Sequence, residues 1–142
     1  RLQKLYDLMV WSAIALALLM SFFPDWVINL LYGSQYDQTG KVLMILVWAN
    51  IFVFYGAAKG SCWIITENLQ RFGLICTVSG AFSNIILNYL LIDRYGNVGA
   101  AFATILSHLI ASVIFPLLYN KDRISVIMFI KTFNILKYRG IK

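Results

Sequence analysis

The side chains able to act on a ligand are Asn50, Lys59, Asn84, Asn88, Thr104 and His108, all set within long apolar stretches. They bind rather than cleave: amides and a hydroxyl for hydrogen bonds, one ammonium for an anion, one imidazole for a proton. Asn84 and Asn88 are one helical turn apart and share a helix face. An unpaired buried amide costs several kcal/mol, so both must find partners on another helix or line a wet cavity. Lys59 stands six residues before Ile65, about 9 Å from a helix end at about 1.5 Å per residue. Its ammonium either snorkels to the surface or forms a fixed positive charge inside a cavity, suited to phosphate or an acidic sugar. His108, one turn beyond Thr104, is either a satisfied imidazole in a bundle or a protonatable group in a coupled transporter.

Enzyme signatures are missing. The chain has no HExxH, Walker A, dinucleotide-type glycine loop or Ser/His/Asp set. Gly96-Asn97-Val98-Gly99 is no phosphate loop, because no strand precedes it. Asp7, Asp25, Asp37, Glu67, Asp93 and Asp122 are scattered singly through lead, loops and tail, with no carboxylate pair for a metal or general base. Cys62 and Cys76 fall within apolar segments at no metal or redox spacing and read as small apolar residues. These features predict a protein that is not an enzyme and needs neither metal nor cofactor.

The elements that must hold these side chains are membrane-length helices. Hydrophobic residues make up 61% of the 142, against about 45–50% in a soluble domain, and they fall in long blocks. The fold class is all-α integral membrane. Four spans are predicted, at about residues 5–23, 42–65, 74–92 and 98–119, forming one bundle over 1–119. Between the first two, Pro24, Asp25 and Trp26 open a short interfacial helix, and 33–40 reads as a polar loop. The stretch 66–73 reads as a second loop. Asp93, Arg94, Gly96 and Asn97 form a tight turn that pins the last two spans back to back. Pro116 is placed to kink the fourth. Residues 120–142 form a basic cytoplasmic tail, in which the apolar run 124–136 is too short to span and suits an interfacial amphipathic helix facing anionic lipid. Gly56 and Gly60 stand in GxxxG spacing, and Gly99, Ala103, Ser107 and Ala111 form a stripe of small residues four apart; both patterns predict close helix packing.

The formal charge is +6, but the basic residues flank apolar blocks and make no aromatic-interleaved face, so no nucleic acid partner is expected. Arg1, Lys4, Arg71 and the six basic residues of the tail lie on one side; Lys41 and Arg94 lie on the other. The positive-inside rule puts both ends of the chain in the cytoplasm. Because the chain opens on Arg1 rather than Met, further helices are expected upstream.

Two stretches, LLYGSQYDQTGKVLMIL and SNIILNYLLIDRYGNVGAAFATILSHL, resemble the C-terminal half of bacterial polysaccharide flippases, the Wzx-type O-antigen and capsule transporters of the multidrug/oligosaccharidyl-lipid/polysaccharide exporter superfamily. The matching positions are Leu31, Tyr32, Gly33 and Tyr36, then Asn84, Leu87, Asn88, Leu91, Ile92, Gly96, Gly99, Ala100, Ala101, Ala103 and Thr104. The resemblance implies twelve or more helices in two lobes around a central cavity, with this chain as the last four and the tail. It implies flipping of undecaprenyl-diphosphate-linked oligosaccharide across the bacterial inner membrane for surface polysaccharide biosynthesis. Implied partners are the lipid-linked oligosaccharide, the phospholipid bilayer, the missing N-terminal helices, a polysaccharide polymerase and a chain-length regulator. Lys59 is a candidate by its chemistry, not a family match. Two alternatives stand beside this one. A drug or metabolite antiporter of the same superfamily would use membrane-buried acids, which the sequence does not reveal. A non-transporting scaffold of polysaccharide assembly would have four spans in all.

Overall fold

A computed structural model describes residues 2–22 and 37–133. All of its regular elements are helices, and the described residues contain no strand. That follows from the long apolar runs, since a backbone in hydrocarbon must satisfy its hydrogen bonds within the segment. Helix α1 is Leu2–Phe22 and α2 is Asp37–Ala58, which continues into a π-helical segment, Lys59–Ile64. Helix α3, Gln70–Leu109, runs on through a second π segment, Ile110–Ile114, and a last turn, Phe115–Leu117. Helix α4 is Asn120–Thr132. Three helices are long and apolar enough to cross a membrane: Leu2–Phe22, Val42–Ile64 and Gln70–Leu117.

The longest of these is a hairpin. At Gly96 the backbone takes φ 56° and ψ −137°, outside any helical region. That combination is open to glycine almost alone. The chain reverses there, so Asn84 on the outgoing limb (70–95) reaches Ser107 on the returning limb (97–117), 23 residues later. At about 1.5 Å per residue each limb exceeds roughly 30 Å. The limbs approach closely through small residues. A methyl group at Gly80 would stand 2.7 Å from Ala111 Cβ, and one at Gly99 would collide with the Leu91 carbonyl. Gly99, Ala103 and Ser107 are buried in this seam.

Tyr6, Val10, Ala13 and Ala17 line one face of α1 and are buried, and α1 packs along α2. Tyr6, Val10, Tyr55, Ala58 and Phe129 form the apolar core where α1, α2 and α4 meet. Phe129 stacks on Tyr55 at 4.3 Å between ring centroids, and Tyr6 meets Tyr55 edge-on at 5.5 Å. Phe72 stacks on Tyr119 at 4.4 Å, tying the start of the hairpin to its end. On the outgoing limb Leu74, Ile75, Val78, Phe82, Ile85 and Tyr89 are exposed, as on a surface covered by lipid.

Several expected boundaries move. Helix α2 begins at Asp37 rather than 42, so part of the predicted loop 33–40 is helical. The loop 66–73 shrinks to a turn centred on Asn68, which has φ 54°, and α3 starts at Gln70. Both shifts have one cause: helices continue past the hydrocarbon into polar sequence, where hydropathy gives no sign of them. The short interfacial helix expected after Pro24 lies outside the described residues. Pro116 has no N–H to donate to Ser112 and its ring crowds that carbonyl; the turn just before it is widened into the π segment. Gly60 does not pack as GxxxG spacing suggested, because a methyl there would meet nothing within 4 Å. In the tail, one face of α4 (Asp122, Ser125, Val126, Phe129 and Thr132) is buried against protein, while Ile124, Ile127 and Ile130 are exposed; the end of the expected helix, 134–136, lies outside the described residues.

Because Gly96 makes the reversal in unoccupied space, a side chain there costs backbone strain alone. Gly96→Ala is expected to lower stability by about 1–3 kcal/mol, measured by reversible unfolding in detergent, whereas Asn97→Ala, on the exposed turn, stays within about 0.5 kcal/mol.

Candidate functional site

A cavity of about 590 Å³ lies between α2 and the two limbs of the hairpin. Helix α2 supplies Phe52, Val53 and Gly56, and the first π segment supplies Lys59 and Ile64. The outgoing limb contributes Cys76, Thr77, Gly80 and Asn84; the returning limb contributes Thr104, Ser107, His108, Ala111 and Ser112. Of the sequence-predicted residues, Lys59, Asn84, Thr104 and His108 therefore share one wall system, though they come from three helices. Asn88 and Asn50 do not line it. Both π segments border the cavity, the first at its Lys59 end and the second through Ala111 and Ser112. Such widened turns are frequent at functional sites, since they displace side chains from ordinary helical register.

Among the described residues, Lys59 is the only charged one in the lining, and none of them there is a carboxylate. It is 4% exposed, and its Nζ donates to Asp122 Oδ2 at 2.7 Å. Asp122 is fully buried and is not part of the cavity wall, so it meets Lys59 from the side of the α1–α4 core. Its other oxygen, Oδ1, accepts from Ser125 Oγ at 2.9 Å. Ser125 Oγ also lies 3.2 Å from the Tyr55 hydroxyl. Below this cluster Gln3 Nε2 reaches Asp7 Oδ1 at 2.8 Å, the Met128 carbonyl at 2.9 Å and Thr132 Oγ1 at 3.2 Å. The Tyr6 hydroxyl, buried in the same core, has no hydrogen-bond partner among the described residues. Lys59 thus neither snorkels nor stands alone.

The second polar feature is a ladder across the hairpin. Asn88 Nδ2 donates to Asn84 Oδ1 at 2.9 Å, and Asn84 Nδ2 donates to Ser107 Oγ at 3.1 Å. Ser107 Oγ passes its own proton to the Thr104 carbonyl at 2.9 Å. Thr104 Oγ1 donates back to the Ala100 carbonyl at 2.9 Å. Asn84 therefore ties the limbs together and also faces the cavity, while Asn88 steadies it from the same limb. His108 sits on the cavity one residue beyond Ser107.

Among curated proteins, the chain is 30% identical over 108 residues to an uncharacterized membrane protein of Methanocaldococcus jannaschii, an alignment covering 75% of this chain and 20% of that protein. It is 24% identical over 122 residues to the capsular polysaccharide biosynthesis protein CapF of Staphylococcus aureus, covering 84% of this chain and 30% of that one. The chain spans less than a third of either relative. No family model and no solved structure matches it. The likenesses support a membrane setting and a polysaccharide context.

Sequence reasoning missed Asp122, Ser125, Tyr55 and Gln3. Asp122 read as one isolated acid in a solvated tail, because its partner is 63 residues away. The available signal was periodic: Asp122, Ser125, Phe129 and Thr132 recur on one helical face. Asp122 is also a buried acid of the kind an antiporter of this superfamily would use. Its carboxylate is nevertheless occupied by Lys59 and lies behind the cavity wall.

Removing one partner of a buried ion pair strands the other. Asp122→Ala is expected to cost about 3–5 kcal/mol, whereas the double variant Lys59→Met with Asp122→Leu recovers most of that loss; unfolding titrations in detergent measure both. Asn84→Leu breaks the ladder and is expected to cost about 0.6–1.7 kcal/mol by the same assay.

Proposed function

We propose that this chain is part of a transporter that moves an undecaprenyl-diphosphate-linked oligosaccharide between the leaflets of a membrane during surface polysaccharide biosynthesis. The observation that carries this reading is the cavity wall, in which hydroxyls, an amide and an imidazole surround a single cation and no acid. A diphosphate-sugar head group cannot cross about 30 Å of hydrocarbon unaided. It needs hydrogen-bonding side chains and positive charge along its path, while the prenyl chain stays in lipid. The likeness to CapF, named for capsular polysaccharide biosynthesis, points the same way.

In this reading the hairpin limbs are two separate crossings, giving four spans, and the chain closes one side of a larger cavity shared with helices of the same protein. The first turns of α1, the Lys59 end of α2, the start of α3 and α4 gather at one end of the bundle, joined by the Gln3, Lys59 and Phe72 contacts. Lys4, Arg71, Lys121, Arg123 and Lys131 lie at that end, while Arg94 lies beside the Gly96 turn. That asymmetry supports a cytoplasmic position for the basic end. No nucleotide-binding motif is present in the sequence, so movement is passive or coupled to an ion gradient, and the protein performs no covalent chemistry.

The test is flipping of a fluorescent prenyl-diphosphate oligosaccharide by the full-length transporter in proteoliposomes. Lys59→Gln, which keeps a donor toward Asp122, is expected to slow flipping by at least about tenfold, the scale of losing one charge-assisted hydrogen bond of about 1.5–3 kcal/mol. An unchanged rate would remove the assignment. In a background with Cys62 and Cys76 replaced, Asn84→Cys and Ser112→Cys are expected to react with membrane-impermeant maleimide, and Ile85→Cys to resist it; protection of all three would show that no aqueous path reaches this wall.

A further inference from the structure

Lys59 belongs to two environments at once. It lines the cavity, yet its ammonium is held at 2.7 Å by Asp122 from the opposite side. Asp122 rides on α4, a helix of 13 residues. We propose that the Asp122 carboxylate is a built-in occupant of an anion site at Lys59, displaced when the diphosphate of a ligand enters the cavity, and that its displacement releases α4 from the bundle. The proposal rests on the reading that the cavity takes an anionic head group.

Three features of the structure favour exchange over a permanent bond. Lys59 already lines the cavity from the first turn of a π segment, so it meets an entering anion without leaving its place in the wall. Asp122 keeps a donor when Lys59 leaves, because Ser125 Oγ stays on Oδ1. The core also holds a spare donor in the buried Tyr6 hydroxyl, which has no partner among the described residues. A diphosphate offers Lys59 more negative charge than one carboxylate, so the exchange has a driving force that a neutral sugar lacks. What then holds α4 in place is the Gln3 contact to Met128 and Thr132, the Ser125 contact to Tyr55, and the burial of Val126 and Phe129. Losing the ion pair takes the charged contact out of that set, so ligand binding and α4 release are coupled.

Binding is measured with the full-length protein in nanodiscs, using farnesyl diphosphate, inorganic pyrophosphate and farnesol as probes. Spin labels on Lys4→Cys and Ile130→Cys, both exposed, with Cys62 and Cys76 replaced, report the α1–α4 distance. Farnesyl diphosphate is expected to bind and lengthen that distance, and farnesol to do neither. Asp122→Asn is expected to bind about tenfold more tightly, the gain when a state populated about a tenth of the time becomes the resting one. Pyrophosphate acting as well as farnesyl diphosphate supports the site and makes its ligand the free anion; farnesyl diphosphate acting alone supports it and makes the ligand a lipid head group. Should Asp122→Asn fail to fold, the exchanged pair Lys59→Asp with Asp122→Lys restores the ion pair with the carboxylate on the cavity side; it is expected to fold and not to bind. Unaltered binding by that pair overturns the proposal. If Lys59→Gln loses binding while folded Asp122→Asn binds no better than the parent, the latch is wrong and the anion site stands. If Lys59→Gln binds as the parent does, both are wrong.

Discussion

The ion pair between Lys59 and Asp122 is the constraint on which the packing of this chain turns. Neither charge can sit where it does alone, since an isolated ion in a low-dielectric interior costs several kcal/mol. Asp122 must therefore be brought to α2, and α4 must lie across the ends of α1 and α2 to bring it. The rest of that helix follows from its placement. Ser125 reaches Tyr55, Thr132 meets Gln3, and Phe129 fills the ring cluster of Tyr6 and Tyr55. A segment that composition alone would leave on the lipid surface becomes the third side of the core.

The hairpin is held by different means. Glycine at one position makes the reversal, small residues let the limbs touch, and an amide ladder fixes their register. Fixing register matters because hydrophobic contacts inside a membrane are nearly indifferent to sliding, whereas hydrogen bonds between named atoms are not. The result is a stiff wall on one side of the cavity. The other wall, α2 with its π segment, carries the Lys59 charge. Rigidity and electrostatics are thus divided between the two sides.

Much of this was legible in the sequence where the information is local. Apolar runs marked the helices, Gly96 with its polar neighbours marked the reversal, and the four-residue spacing of Gly99, Ala103, Ser107 and Ala111 marked the seam. Asn84, Thr104 and His108 share a cavity because helical spacing puts them on facing sides of two adjacent limbs. What stayed hidden was set by contacts distant in sequence. Lys59 carried no mark of its partner, and the apolar count of α4 could not say which of its faces meets protein. Gly60 matched a packing pattern, yet none of the described residues lies against it. The helix ends moved because hydropathy registers where the bilayer stops, not where helical hydrogen bonding stops. Asn88 illustrates a finer limit: its spacing from Asn84 predicted a shared face, and the structure makes it Asn84's support instead of a cavity residue.

The separation of 63 positions between the two members of the ion pair also bears on how the protein is made. The ribosome releases α2 long before α4, so the nascent chain enters the bilayer with an unaccompanied ammonium, a burden of about 2.5–3.5 kcal/mol on translocon scales. Until α4 arrives, α2 carries that charge unpaired within a span otherwise apolar enough to cross. A chain cut short before Asp122 leaves that lysine without its carboxylate. The seat of α4 and the neutrality of α2 are thus acquired together.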